Sequence, residues 1–191
     1  MKTIWALFAL TTFAATAAAE TCPIQIRLTN TAAAAPAIVF QAKATAATMF
    51  ARLGINIQWT STPHPTPCGH PIEIHFETGD PGPARPDSLA YAMPYLDGGT
   101  SIHVFIQRVA AMAPASRVGP LLGHVLAHEI THVLQGTARH SPEGVMKAHW
   151  SSADFRAMQS RPLPFASLDV LLLQAAAFTK PAPAATLAAA K

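Results

Sequence analysis

Little charge, two cysteines and no internal repeat set the outer limits on this chain of 191 residues. Only 12% of its side chains are Asp, Glu, Lys or Arg, and the formal net charge is +3. A balance this weak, with its cations scattered, excludes the basic patch that marks a nucleic-acid partner. No apolar run is long enough to span a bilayer, which takes about 20 residues. The mainly apolar stretch 4–15 is too short, so stable membrane insertion is not expected. Two cysteines, Cys22 and Cys68, allow one disulfide at most.

What is present at the start is an export signal. Lys2 precedes the apolar run, and Ala17, Ala18 and Ala19 supply the small residues before a cleavage site after Ala19. Residues 1–19 are therefore expected to be a signal peptide and the protein secreted or periplasmic. Removing them takes away one cation, Lys2, and no anion, which lowers the charge to +2 and leaves 172 residues. That is one domain's worth of chain, placed at 20–178, with enough residues for a core. Residues 179–191, an Ala/Pro tail without amphipathic pattern, are expected to be disordered. In an oxidising compartment a Cys22–Cys68 disulfide is the expected state of the two cysteines.

Hydrophobic periodicity sketches the domain. Residues 24–28 alternate like a strand, and 37–53 follow a helical pattern with Gly54 as the stop. Residues 55–59 and 72–76 are further strand candidates, followed by a Gly/Pro-rich loop at 79–86. Strands are expected around Tyr91 and over 102–106, and a helix over 121–134 ended by Gly136. Ser151 and Ser152 can cap a short helix through Met158, and 168–178 reads as a closing helix. The order implies an α+β domain with a mixed sheet and helices packed on it.

The chemistry lies inside the 121–134 helix, in His128-Glu129-Ile130-Thr131-His132. Residues four apart on a helix are about 40° apart around its axis, so His128 and His132 share a face. Two imidazoles on one face are two of the ligands a tetrahedral Zn²⁺ requires. Glu129 is rotated aside, where its carboxylate can reach a water without binding the ion. A mainly apolar helix must bury these groups, and burying them without partners costs several kcal/mol. This is the H-E-x-x-H arrangement in which the Glu is a general base.

Downstream, Gly136, His140-Ser141 and Gly144-Val145-Met146 follow in turn. With the helix motif, they resemble the metzincin zinc peptidases, matrixins most closely, whose signature is H-E-x-x-H-x-x-G-x-x-H followed by a Met-containing turn. Here Gly136 lies four residues after His132 and His140 eight, two more than the signature gives the third His. The resemblance implies a metzincin-like zincin domain with Zn²⁺ on His128, His132 and His140, Glu129 as catalytic base, and Met146 beneath the imidazoles. His149 competes as third ligand, and Asp154 is the carboxylate alternative of the thermolysin-like class. Residues 89–94, 98–100 and 102–105 resemble the matrixin edge strand, its glycine loop and the following strand. Tyr91 stands where matrixins place a ligand of a structural zinc, so His103 is expected to be a sheet histidine without one. His124 is expected to be packed or hydrogen-bonded, since three His along one helix span too far for one ion. Neither tyrosine, Tyr91 nor Tyr95, follows the Met-turn, so the phenolic donor of some metzincins is absent. The similarity extends over 24–178 and is specific over 128–146. It implies a monomeric, exported zinc metallopeptidase acting on peptide or protein substrates. A non-catalytic zinc-binding module on the same scaffold and a zinc amide or ester hydrolase are the alternatives.

Overall fold

The computed structural model describes residues 22–61, 70–79, 88–96 and 99–178. The expected signal peptide 1–19, the tail 179–191, His64, Cys68, Gly98 and most of the 79–86 loop lie outside these residues. Cys22 is disulfide-bonded.

Five strands form one mixed sheet: β1 (Ile24–Asn30), β2 (Ile57–Thr60), β3 (Ile72–Glu77), β4 (Ala90–Leu96) and β5 (Gly99–Phe105). Their order across the sheet is β2-β1-β3-β5-β4. All neighbours are parallel except β4, which runs antiparallel to β5 along one edge. The β4–β5 register slips between Met93 and Leu96. Alternation decides which face is covered: Ile72, Ile74 and Phe76 of β3 are buried, while Glu73, His75 and Glu77 are only half-buried. Ile26, Ile102 and Val104 complete the apolar face, all fully buried.

Two helices lie on that face. Helix α1 (Pro36–Ala51) connects β1 to β2; its proline occupies the first turn, where no intrahelical N–H bond is lost. Ala42, Ala46 and Phe50 give it a buried stripe. Helix α3 (Val118–Gln135) carries the motif and packs on α1 through Gly123. A Cβ there would sit 2.5 Å from Thr45 Cβ and 2.9 Å from the Ala42 carbonyl, so only glycine lets the two backbones approach this closely. Leu122, Leu126 and Ile130 of α3 are fully buried in the same core. Each such side chain contributes about 1.5–3 kcal/mol, which fixes the rotation of α3 and thereby the direction of its histidines.

The remaining helices are short or peripheral. The strand expected through residue 106 ends at Phe105, and Ile106 begins helix α2 (Ile106–Ala111). The alternation of Ile102 and Val104 cannot continue, because Val109 must reach the core from a helical turn. Ser151 caps α4 (Ser152–Ala157) in a capping box with Asp154, and α5 (Ser167–Phe178) closes the domain. Among the described residues no helix is long and apolar enough to cross a membrane.

Candidate metal centre

Helix α3 ends where the sequence places its stop. Gly136 adopts φ 61°, the left-handed conformation that glycine accepts without strain, and turns the chain back beneath the last helical turn. The Thr137 N–H then bonds the His132 carbonyl at 3.3 Å, and three residues later His140 faces the helix. Ring centroids of His128, His132 and His140 are separated by 4.7, 5.2 and 4.9 Å, a near-equilateral triangle. One nitrogen from each lies within 4.8 Å of the others. Among the described residues this is the one group of three or more His, Cys, Asp or Glu so placed.

Hydrogen bonds set which nitrogens converge. His128 Nδ1 donates to the Val145 carbonyl and His132 Nδ1 to the Thr137 carbonyl, each at 2.9 Å. With Nδ1 carrying the proton, each Nε2 presents a lone pair, and the two Nε2 atoms are 3.0 Å apart. Burial pushes the His128 pKa down to about 4, and His132 and His140 are lowered by the same cause. At neutral pH, then, the imidazoles are uncharged and the Nε2 lone pairs of His128 and His132 face each other, an arrangement that repels itself without a cation, while His140 brings a third nitrogen within 4.8 Å. Two bonds of ~2.0–2.1 Å at a tetrahedral angle place their nitrogens about 3.3–3.4 Å apart, close to what is seen. The donor set can hold a metal ion.

Trp150 Nε1 donates to the same Val145 carbonyl at 3.1 Å, and its ring stands edge-on to His128. Val145 is placed by Gly144, whose φ of 73° and contact with the Pro164 carbonyl exclude a Cβ. The Ser141 N–H bonds the Met146 carbonyl at 2.8 Å, closing the turn, and Met146 is fully buried.

The trio opens onto a cleft of about 800 Å³. Glu129, 8% exposed, lines it beside His128 and His132, and residues 90–92 of β4 line it as well. His149 lines the cleft as well but does not belong to the three-His group. Asp154 is engaged elsewhere: Lys147 pairs with it at 2.5 Å, and that bond together with the Ser151 N–H holds its carboxyl down to about 2. His124 is fully buried, its Nδ1 donating to the Pro120 carbonyl and its Nε2 accepting from the Leu163 N–H. His103 sits in the sheet, stacked against Tyr91 and His75, with Nδ1 2.5 Å from Glu77.

Sequence reasoning missed one group. Asp169 of α5 is fully buried and binds Arg139 and Ser141, the two residues flanking His140. A single acid inside the apolar run of α5 was the available signal. No protein-family model matches this chain, and no curated protein matches it.

Proposed function

We propose that this chain is an exported zinc-dependent metallopeptidase with a metzincin-like domain, in which His128, His132 and His140 hold Zn²⁺ and Glu129 is the general base. The observation that carries this reading is the convergence of three neutral imidazoles, beside a carboxylate, on the lining of an open cleft. A site that served structure alone would close its fourth position instead of facing a cavity. Zinc held there would supply a Lewis acid and lower the pKa of water towards ~7.

The chain's own groups do the remainder. The Val145 and Thr137 carbonyls keep His128 and His132 in one tautomer and one orientation. Glu129 takes a proton from the attacking water and returns it to the departing amine. Edge strand β4 offers backbone N–H and C=O groups along the cleft wall, so an extended peptide can add as another strand. Main-chain recognition of that kind favours a peptide over a small amide or ester.

Zinc quantitation on the purified protein, paired with a peptide-library cleavage assay, tests the proposal. One zinc per chain and cleavage are expected. Glu129→Gln should keep the zinc and the fold while losing about 10²–10⁴ in rate. Zinc binding without any cleavage would favour the non-catalytic module, and cleavage that survives Glu129→Gln would place the activity elsewhere.

A further inference from the structure

The third histidine differs from the other two in how it is held. His128 and His132 stand on a packed helix with Nδ1 bound to backbone, whereas His140 is exposed on a loop. Among the described residues no hydrogen bond reaches a ring nitrogen of His140. Its neighbours are held instead. Ser141 Oγ donates to Asp169 Oδ2 at 2.7 Å, and the Arg139 guanidinium pairs with Asp169 Oδ1. Arg139 also donates to Ser141 Oγ at 3.1 Å and to the His140 carbonyl at 3.4 Å. Gln135, on the last turn of α3, approaches the same carboxylate oxygen at 3.4 Å. One buried carboxylate on α5 thus gathers the end of the motif helix and both residues that flank His140.

We propose that Asp169 is the positioning residue of the metal centre: it clamps the 137–141 loop to α5 and offsets the Arg139 charge, so that His140 is presented to the ion. The proposal rests on reading the three histidines as a metal site. Both halves follow from the contacts. His140 sits on a loop and its ring has no hydrogen bond among the described residues, so the contacts of Arg139 and Ser141 are what hold it in place. Arg139 adjoins His140 in the chain and its guanidinium donates to the His140 carbonyl, so an unneutralised Arg139 would set a fixed positive charge beside the ion. Partners of metal ligands typically govern 10–100-fold in affinity.

The test is competition for Zn²⁺ against a chromophoric chelator, with Co²⁺ absorption spectra as a second readout. Asp169→Asn keeps the shape of the side chain and removes its charge. It should weaken zinc by about 10–100-fold and alter the Co²⁺ ligand-field bands. Ser141→Ala, which leaves the Arg139 pair in place, should lose less. Wild-type affinity and an unchanged cobalt spectrum in folded Asp169→Asn would overturn the clamp, even if its metal-free form melts lower. Should Asp169→Asn fail to fold, Arg139→Ala combined with Ser141→Ala removes the same contacts from the loop side, and because it also deletes a cation the readout there is the cobalt spectrum: unchanged ligand-field bands overturn the clamp equally. Absence of zinc binding by the wild-type protein would defeat the metal site itself, an outcome distinct from failure of the clamp.

Discussion

Two groups of histidines occupy this molecule, and they are built in opposite ways. On the sheet, His75 and His103 lie in register across β3 and β5, and Tyr91 continues the row on β4. The rings stack at 5.2 and 4.9 Å, and both nitrogens of His103 are near side-chain partners, Glu77 and Ser101. In the cleft, backbone carbonyls take one nitrogen of His128 and of His132 and leave the other aimed at a shared point. Histidine content and proximity are similar in the two places. What separates a ligand set from a packed row is which nitrogen the surroundings consume.

The largest effect that can break this comparison is on the metal. His132→Ala or His128→Ala should abolish stoichiometric zinc, measured by elemental analysis, while His75→Ala and His103→Ala should retain it. Zinc lost equally from the sheet variants would erase the distinction.

Acid should act next, on the buried histidines. The folded-state pKa of His128 is about 4, below its ordinary 6.5, and that of fully buried His124 is lowered in the same direction. As pH falls the unfolded chain therefore binds protons first, so stability is full above 6.5 and is lost between 6.5 and about 4. For His128 the loss approaches roughly 3 kcal/mol. Denaturant melts of metal-free protein across this window should show the slope, and His128→Gln should flatten it. A slope unchanged in that variant would contradict the burial argument.

The acceptor side can be broken without touching a histidine. Gly144→Ala puts a Cβ against the Pro164 carbonyl at a positive φ, which shifts the Val145 carbonyl that His128 and Trp150 share. A stability loss of about 1–3 kcal/mol is expected, with weaker zinc binding measured by chelator competition. Loss of stability with unaltered affinity would show that Val145 does not orient His128. The smallest effect belongs to the sheet: His103→Ala, losing a stacked ring and a half-exposed pair with Glu77, should cost no more than about 1 kcal/mol in thermal unfolding.

What could be read from the sequence was local. The α3 period, its stop at Gly136 and the later His140 all follow from spacing along one stretch of chain, and the structure brings those residues together. Ser151 as a cap and the helix after it were legible for the same reason. Helix α2 was not, because six residues without a side-chain cap carry too little pattern to outweigh the strand before them. The Asp169 contacts join residues 28 and 30 positions apart, and no periodicity encodes them. Strand order was legible only at one edge, where the resemblance puts residues 89–94 and β4 lies; that β5 inserts between β3 and β4 is a choice made by packing of whole faces.

Strand β4 carries a consequence for what can pair with the sheet. An open sheet edge recruits any extended chain, including another copy of itself, and the usual protection is proline or a bulge. β4 has both, since Pro94 lacks an N–H and the register slips between Met93 and Leu96. The regular edge is thereby confined to Ala90–Met93. Four residues offer few rungs for one chain to template a fibril from another, and under the proposed function they would limit a peptide to a short span near the cleft. A blunted edge and, on the proposed reading, a short footprint for a peptide would come from the same interruption.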